Sequence, residues 1–315
     1  MPSAQSARND KKKGGSFFSA IGFYLLLPFI YALSVLPFRI IYLFSDFLYL
    51  VVFRLAGYRK KVVMQNLHNS FPKKSEEELK VICRNFYHFL CDFMLEMIKE
   101  ATISKKELIR RCAITPGAAS LLDSFAKENK SVLMVMGHNG NWEWACNAFN
   151  IVSTHQLYVI YHPLSNVYFN DFMMRLRTRN GTKLITMKNT YREMAANKAA
   201  LNATVFVADQ TPLPDNAYWT TFLHQHTPVF KGMEVIAKKM NLPVIYASVE
   251  KIKRGFYKMN AEVLCAEPAG MAEGELSELF TRRLEQEIIA QPETWLWSHR
   301  RWKHKHPVAA QYIKN

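Results

Sequence analysis

Residues 131–143, SVLMVMGHNGNWE, decide the fold, because they change from a strand to a turn and then to a helix in one short segment. The uninterrupted apolar run 132–136 predicts a strand that is buried on both faces of a sheet. Asn139-Gly140 is a turn signal, and Trp142 begins a segment with helical spacing. The stretch therefore predicts one repeating unit of an α/β sheet, with His138 at the carboxyl end of its strand.

The rest of the chain repeats this alternation. Short runs rich in Val, Ile and Tyr are separated by helical patterns, so we predict an α/β fold with a mostly parallel central sheet flanked by helices. A capping box at Ser75-Glu76-Glu77-Glu78 predicts a helix that continues to about Glu100. The further predicted strands are HQLYVIYH (155–162), KLITMK (183–188), ATVFVADQ (203–210) and PVIYASVEKI (243–252), and the predicted helices are 105–111, one from Pro116, 142–151, 166–179, 190–201, 232–240 and one from Gly274 to Pro292.

The N-terminal part of the chain predicts attachment to a membrane. Residues 16–38 contain no charged side chain, and about 20 apolar helical residues suffice to cross a bilayer. A second apolar run, 40–53, ends in a basic collar that begins at Arg54. Because cations flank the apolar stretches on both sides, a single span, a re-entrant hairpin and an interfacial hairpin all stay open, beside a buried helix of a soluble protein. We predict a disordered basic tail at 1–15, a membrane-anchoring helical segment at 16–57 and an α/β domain at 58–315.

Charge and cysteine content restrict the partners and the compartment. Lys and Arg number 41 against 26 acidic residues, a formal net charge of +15, which predicts an anionic partner such as a phospholipid surface, an acidic carrier protein or nucleic acid. Five cysteines without a CxxC pair favour a reducing compartment. Hydrophobic residues make up 49% of the chain, which is enough for a large core and argues against disorder.

His138 and Glu143 form the candidate catalytic motif, HxxxxE. Five residues on a continuous helix correspond to about 500°, which would point the two side chains apart. The Asn-Gly turn instead lets the Glu143 carboxylate reach one imidazole nitrogen while the other nitrogen faces substrate. His138 would then act as a general base and Glu143 would orient it. A structural histidine in a hydrogen-bonded turn is the alternative from spacing alone, and no GxSxG nucleophile accompanies the motif.

Several ordered blocks resemble the bacterial late acyltransferases of lipid A biosynthesis, the lauroyl and myristoyl transferases of the lysophospholipid acyltransferase superfamily. The resemblance runs from about Phe17 to Pro307. It rests on RLAGYRKKVVMQNLHNSFPKKSEEE (54–78), HNGNWE (138–143), YHPLSNVYFNDFMMRLRTRNGTKLI (161–185), VADQ (207–210) and WLWSHRRWK (295–303).

The resemblance assigns roles to residues of this chain. It implies that His138 and Glu143 are the catalytic dyad, that Arg177 or Arg175 is the arginine of the second block, and that Asp209 is the acid after a later strand. The terminal block falls on His299, Arg300, Arg301, Trp302 and Lys303. Together these give Arg175, Arg177, Asp209, Gln210, Arg300, Arg301 and Lys303 as candidate substrate-binding residues.

Each of these candidates has a structural alternative. Arginine binds phosphate or carboxylate through its bidentate fork, although any one of these cations could be a solvated surface charge. Asp209 and Gln210 could organise the acceptor or an arginine, or could cap the turn that follows. One departure is Tyr161-His162-Pro163, where family members often have Tyr-Arg-Pro.

The resemblance also implies that the predicted domain at 58–315 is an acyltransferase domain, and it implies the substrates and the location. The donor would be a fatty acyl thioester on acyl carrier protein, and the acceptor an anionic glycolipid at the bacterial inner membrane, with the catalytic domain on the cytoplasmic face. No cofactor, no metal and no nucleic acid are expected. A hydrophobic tunnel would take the acyl chain.

Three other classes of function compete with this hypothesis. His224-x-His226 and His304-x-His306 could belong to a metal-dependent hydrolase, although no third ligand stands at diagnostic spacing. The tail HRRWKHKH suggests a nucleic-acid binder, against which the apolar N-terminus counts. A non-catalytic membrane-surface protein would leave His138 without a role, and a related enzyme could acylate a glycerolipid, an aminolipid or a mannosylated lipid.

Overall fold

The computed structural model describes residues 17–305, so the predicted tail 1–15 and His306 lie outside the described residues. The chain forms one layered α/β unit preceded by apolar helices. The helices are α1 Phe17–Val35, α2 Phe38–Tyr49, α3 Lys60–Ser70, α4 Glu76–Lys99, α5 Lys105–Arg111, α6 Pro116–Lys127, α7 Trp142–Val152, α8 Val167–Thr178, α9 Thr190–Ala196, α10 Gly232–Met240 and α11 Glu275–Ala290. The strands are β1 Cys112–Ile114, β2 Val132–Met136, β3 Gln156–Tyr161, β4 Lys183–Thr186, β5 Asn202–Val207, β6 Ala217–Phe222, β7 Gln225–Phe230, β8 Val244–Lys253 and β9 Phe256–Cys265.

Within residues 17–305, a seven-stranded sheet has the order β1-β9-β8-β2-β5-β3-β4. Neighbouring strands are parallel except for the β8–β9 pair, so the predicted mostly parallel α/β sheet is confirmed. β1, β9 and the separate antiparallel hairpin β6–β7 were not predicted. β6, AYWTTF, contains no Val or Ile, the residues that marked the predicted strands, although its aromatic and Thr side chains also favour a strand, and most of its side chains are only half-buried.

The central strand β2 buries both of its faces, as its apolar run predicts. Leu133 and Val135 belong to the core on one side of the sheet, with α4 and α11, while Val132, Met134 and Met136 belong to the core on the other side, with α7. Packing against hydrophobic side chains on both faces of the sheet fixes the position of a strand. This strand therefore sets where His138 emerges.

The local helix signals mostly match the structure. The Ser75 hydroxyl and the Glu78 carboxylate form the predicted capping box at the start of α4. The helix predicted over 190–201 is wrong at its end, because α9 stops at Ala196. The Asn202 side-chain amide donates to the carbonyls of Asn197 and Ala200, which holds the preceding residues in a turn.

The predicted membrane segment forms helices that pack on the α/β unit. No single helix among residues 17–305 is long and apolar enough to cross a membrane; a pair bent by 86°, Phe38–Leu55 with Lys60–Ser70, passes by length and composition together. The Tyr42 hydroxyl donates to Glu96 on α4, and the Lys99 ammonium donates to the Ser34 carbonyl. α1 and α2 are thus held against α4 by specific polar contacts.

A stripe of exposed apolar side chains lies along α2. Ile40, Leu43, Phe44, Phe47 and Leu50 recur at helical spacing and are all exposed. We call these five residues the apolar stripe. The opposite face of α2 is buried, so the helix is apolar on the side that faces away from the protein.

Candidate active site

His138 stands two residues beyond the end of β2, and Asp209 stands two residues beyond the end of the adjacent strand β5. The strands are parallel and in register, with Met136 opposite Val207. The two polar side chains are therefore brought side by side at the carboxyl edge of the sheet, where open α/β folds bind their ligands.

Gly137 allows the close approach that this edge requires. A β-carbon at Gly137 would lie 2.5 Å from the Leu284 side chain and 3.5 Å from Oδ2 of Asp209. The next glycine, Gly140, has φ of +58°, and a β-carbon there would collide with the Val249 carbonyl oxygen. The turn predicted from Asn139-Gly140 is confirmed, and Gly140 is needed for its shape because its φ is positive and the Val249 backbone leaves no room for a β-carbon.

The Asp209 carboxylate holds the His138 imidazole. Oδ1 of Asp209 lies 2.5 Å from Nδ1 of His138, and Oδ2 accepts the His138 backbone N–H at 2.9 Å. Burial alone would raise the pKa of Asp209, but the charge and hydrogen bonds of His138 and a hydrogen bond from Trp295 lower it below its usual range. Because an ionised carboxylate only accepts, Nδ1 carries a proton, and Nε2 is the nitrogen that has the lone pair whenever the imidazole is neutral.

Nε2 of His138 faces a cavity of about 350 Å³. The Gln210 side-chain amide lies 3.3 Å from Nε2, and the Trp142 ring meets the imidazole edge to face at 5.0 Å between ring centres. The cavity is lined by polar groups near His138 and by apolar side chains such as Val159 and Leu164. A basic nitrogen at the mouth of a partly apolar cavity suits removal of a proton from a lipid hydroxyl.

In the described structure, the Glu143 carboxylate pairs with Arg177 and not with His138. The Arg177 Nε donates to one Glu143 oxygen at 2.9 Å and its Nη2 to the other at 2.5 Å, a bidentate arrangement. Both side chains line the cavity with His138. The prediction that Glu143 accepts the hydrogen bond of the imidazole is thus wrong: Asp209 is the acceptor, because α7 begins at Trp142 and carries Glu143 toward α8.

The two candidate arginines of α8 lie on different sides of that helix. Arg177 reaches Glu143, whereas Arg175 is exposed and does not line the cavity. Two residues along a helix turn through about 200°, so only one of the pair can face the site. Of the two, Arg177 is the one that lines this cavity.

The segment after α11 clamps the turn that carries His138. The Trp295 indole N–H donates to Oδ2 of Asp209 at 2.8 Å, and the Thr294 hydroxyl donates to the Asn139 side chain at 2.7 Å. The Gly140 backbone N–H donates to the Thr294 carbonyl at 3.2 Å. The C-terminal block therefore fixes both this turn and the carboxylate that orients the imidazole.

The sequence profile of the family described as "Bacterial lipid A biosynthesis acyltransferase" matches residues 10–304. The chain belongs to this family. Membership supports an acyltransferase that acts on a membrane lipid, as the resemblance of the ordered blocks predicts. A search of curated proteins found no match.

The terminal cations that resemble the family pattern occupy different environments in this member. Arg300 and Lys303 are exposed. Arg301 is 1% exposed, and its Nη2 donates to the Pro228 carbonyl at 2.8 Å. Burial lowers the pKa of Arg301 to about 10, against the opposing effect of the Asp209 charge. Arg301 is thus packed inside the fold beside the β6–β7 hairpin, not on the cavity wall.

His299 of the same block is also structural in its contacts. Its Nε2 lies 3.2 Å from the Thr211 hydroxyl, and burial lowers its pKa to about 4. His299 is therefore neutral at physiological pH. It joins the C-terminal block to the turn that follows Asp209 and Gln210.

Sequence reasoning missed two residues that position this site. Trp295 lies in the block WLWSHRRWK, which marks the segment but not the indole that reaches Asp209. Glu96 belongs to none of the sequence motifs. It is buried in α4, and its carboxyl group accepts a hydrogen bond from the Asn141 amide at 2.8 Å. Asn141 in turn caps α7 by accepting from the Trp144 backbone at 3.0 Å.

Of the two histidine pairs in the alternative metal hypothesis, His224-x-His226 lies within residues 17–305, whereas His306 of the second pair lies outside them. Among residues 17–305, no group of three or more His, Cys, Asp and Glu side chains is placed to hold a metal ion. His224 and His226 lie at the tight β6–β7 turn, where His224 has φ of +64°.

Proposed function

We propose that this protein transfers a fatty acyl group to a hydroxyl of a lipid A precursor, with His138 as the general base. The observation that carries the proposal is the Asp209–His138 pair, in which Nδ1 is held by a buried carboxylate and Nε2 faces the cavity. This is the arrangement that makes imidazole a base in serine hydrolases, with the substrate hydroxyl here in place of the serine. Asp209 replaces Glu143 as the orienting group of our sequence-based hypothesis.

The transfer is direct. Nε2 of His138 takes the proton of the acceptor hydroxyl as the oxygen attacks the thioester carbonyl carbon and a C–O bond forms. The tetrahedral intermediate then loses the thiol as the C–S bond breaks, and the imidazolium returns the proton to the thiolate. The Asp209 carboxylate stabilises the imidazolium between the two steps.

The other cavity residues shape the site around this proton transfer. The Gln210 amide, 3.3 Å from Nε2, is placed to donate to the carbonyl oxygen that becomes negative. The Glu143–Arg177 pair forms a charged section of the wall, so that Arg177 keeps a fixed fork beside the cavity. The apolar part of the lining would hold the first carbons of the acyl chain.

We propose acyl carrier protein as the donor carrier and an anionic glycolipid as the acceptor, at the cytoplasmic face of the inner membrane. A net charge of +15 favours both anionic partners. The exposed cations Arg175, Arg300 and Lys303 are available for them, whereas Arg301 is buried and acts on the fold. The apolar stripe of α2 supports membrane attachment through residues 16–57.

A different membrane lipid is the second candidate acceptor, and His162 is the observation that favours it. His162 lines the cavity at the position where the resemblance leads us to expect arginine. Imidazole offers neither the permanent charge nor the bidentate fork of arginine, so a less anionic headgroup would fit better. A glycerolipid, an aminolipid or a mannosylated lipid would meet that description.

Mass spectrometry of membrane lipids tests both acceptors. Cells that produce the protein should contain a lipid heavier by one acyl group, and cells that produce His138→Ala should lack it, since a general base contributes about 10²–10⁴-fold. His68→Ala, a change of an exposed histidine, is the matched control and should keep the product. The headgroup of the heavier lipid distinguishes a lipid A precursor from the alternatives.

Two results would contradict the proposal. If cells with His138→Ala had the same lipid profile as cells with the wild type, His138 would not be the general base. A variant that still associates with membranes would then favour a non-catalytic membrane-surface protein. A radiolabelled acyl-enzyme formed with donor alone would replace direct transfer by a covalent route.

A further inference from the structure

A second cavity, of about 540 Å³, lies where the basic collar after α2 meets the first turns of α4. None of its lining residues belongs to the cavity beside His138. We call it the collar pocket and define it by Phe53, Arg54, Lys60, Met64, Glu76, Glu77, Lys80, Val81, Cys83 and Arg84.

The floor of the collar pocket is apolar. Phe53, Met64, Val81 and Cys83 supply its non-polar surface. Phe53 lies in a π-helical turn, Leu50–Leu55, which continues α2. Single π-helical turns are frequent at functional sites, because the extra residue changes the direction in which side chains project. Here the turn brings a buried ring and the following arginine to the same pocket.

The rim of the collar pocket carries exposed cations. Among residues 17–305, Arg54, Lys60 and Arg84 form no ion pair, although all three are exposed. Instead, the Lys60 ammonium lies 4.4 Å and the Arg54 guanidinium carbon 5.7 Å from the centre of the Phe53 ring. A ring face orients a cation without neutralising it, so the positive charge stays available.

The carboxylate of Glu76, on the rim of the collar pocket, already has basic partners. Its carboxylate lies 3.1 Å from His68 and 3.7 Å from Lys80. The cations on the rim number four and the acids two, so the pocket has a net positive charge. It therefore fits a ligand with an anionic group at the rim and an apolar part on the floor.

The position of the pocket indicates where such a ligand comes from. The π-helical turn begins at Leu50, which ends the apolar stripe, and closes at Leu55, whose side chain is 81% exposed. Exposed apolar side chains next to unpaired cations are the pattern of protein surfaces that lie in the headgroup region of a bilayer. The stripe thus continues directly into the collar pocket.

We propose that the collar pocket binds one anionic phospholipid, whose phosphate meets Arg54, Lys60 and Arg84 and whose acyl chain lies on the Phe53 floor. This site is separate from the proposed acyl transfer, and its occupant is a bound lipid and not a substrate. Phosphate recognition by three cations beside an apolar floor distinguishes the lipid from a free anion, which gains nothing from that floor.

Native mass spectrometry of the full chain in non-ionic detergent tests the proposal, with phosphatidylglycerol or phosphatidylcholine added at equal concentration. The wild type should retain one phosphatidylglycerol and little phosphatidylcholine. The triple variant Arg54→Gln/Lys60→Gln/Arg84→Gln should lower retention on the order of 100-fold, since each cation near an anionic lipid contributes about 1 kcal/mol. Lys127→Gln/Lys198→Gln/Lys258→Gln removes the same charge from exposed positions elsewhere and should leave retention unchanged.

A second variant separates the floor from the charge. Val81→Trp fills part of the pocket at a residue that is already exposed, so the fold tolerates it, and it should also release the lipid. Equal retention of both lipids, or equal loss in the two triple variants, would overturn the proposal.

Competition experiments test whether the collar pocket binds a ligand other than a lipid. Displacement of the lipid by an equal concentration of a polyglutamate peptide would make the pocket a protein-docking surface, and displacement by inorganic phosphate would make it a free-anion site. Either result would contradict a lipid site. Acyl transfer is measured in parallel with detergent-solubilised acceptor; a loss of lipid retention with transfer preserved separates this proposal from the proposed function.

Discussion

At the scale of single residues, two buried carboxylates each hold one side chain that lines the cavity beside His138. Asp209 holds His138, while Glu143 holds Arg177. The lowered pKa of Asp209 means that it stays ionised well below neutral pH. Its contribution to stability is present above its unfolded pKa of about 3.9 and is lost as the pH falls through the lower folded value.

Asp209→Asn should lower kcat by about 10²–10⁴-fold with little change in KM, because asparagine can stabilise the wrong imidazole tautomer. Acyl transfer to the lipid acceptor, followed with a radiolabelled donor, measures it. Glu143→Gln is the matched carboxylate-to-amide change and should reduce kcat less. A larger loss in Glu143→Gln than in Asp209→Asn would restore Glu143 as the orienting group.

The Glu143–Arg177 pair predicts an asymmetry in stability. Arg177→Met leaves the Glu143 carboxylate, only 7% exposed, without its partner and should cost on the order of 3 kcal/mol of unfolding free energy. The double variant Arg177→Met/Glu143→Leu removes both charges and should recover most of that loss. Thermal unfolding of the purified protein in detergent checks this, and a double variant no more stable than Arg177→Met would contradict it.

At the scale of elements, the turn between β2 and α7 is the part of the fold that places His138. Gly140 there has φ of +58°, and Gly57 in the basic collar has a similar φ of +56°. A β-carbon at Gly57 would have no atom within 4 Å, whereas one at Gly140 would meet the Val249 carbonyl oxygen. Alanine substitutions at these two glycines therefore distinguish the cost of backbone strain from the cost of a steric collision.

Gly140→Ala should destabilise the protein by several kcal/mol and abolish acyl transfer, since the new methyl group collides with the Val249 carbonyl. Gly57→Ala should cost only about 1 kcal/mol, the strain of a positive φ. Unfolding free energy and transfer rate measure both. Equal losses in the two variants would mean that the collision with β8 is relieved by movement of the turn.

Glu96 of α4 links the N-terminal helices to the same turn. Its carboxyl group accepts from Tyr42 of α2 at 2.9 Å, from Asn141 at 2.8 Å and from Tyr257 at 2.7 Å. Burial and, to a smaller extent, the Asp92 charge raise the pKa of Glu96, these hydrogen bonds oppose the rise, and the net pKa is about 7. The connection between α2 and α7 therefore runs through a group that titrates near neutral pH.

The contribution of Glu96 to the stability of the protein should fall as the pH rises from about 4.3 to about 7. Between the unfolded pKa of about 4.3 and the folded value of about 7, the folded state holds a proton that the unfolded state lacks. This contribution is fully present below the unfolded pKa and is lost as the pH rises through the folded one, on the order of 3 kcal/mol in all. The melting temperature of the wild type minus that of Glu96→Gln should therefore fall over this range, and an identical pH dependence of the two proteins would contradict the assignment.

At the scale of the whole molecule, the apolar stripe should determine membrane attachment. Leu43 is 68% and Phe47 65% exposed, so Leu43→Glu/Phe47→Glu alters the surface and not the core. Cosedimentation with phospholipid vesicles should fall about 100-fold or more, because two large apolar side chains no longer enter the bilayer. Val235→Glu/Ile289→Glu changes side chains that are 55% and 60% exposed on other helices, and should bind as the wild type does. Equal binding of both double variants would place the membrane contact elsewhere.

The sequence predicted those parts of the fold that depend on local patterns. Apolar runs marked the five principal strands of the sheet, and Ser75 with Glu78 marked the start of α4, because burial periodicity and capping act over a few residues. β9 and the β6–β7 hairpin escaped prediction, since they carry few of the Val and Ile residues that marked the other strands and are held by pairing with β8 and with each other.

By itself, the sequence determined that this protein has an α/β sheet with His138 at a strand end, an apolar N-terminal segment and the motifs of its acyltransferase family. Only the tertiary structure decided which carboxylate serves the imidazole. Glu143 is five residues from His138 and Asp209 is far along the chain, yet parallel pairing of β2 with β5 brings Asp209 to Nδ1. Helix geometry at the start of α7 turns Glu143 toward Arg177 instead. Proximity at the edge of a parallel sheet depends on which strands are neighbours, and a single sequence does not encode that order in any local pattern.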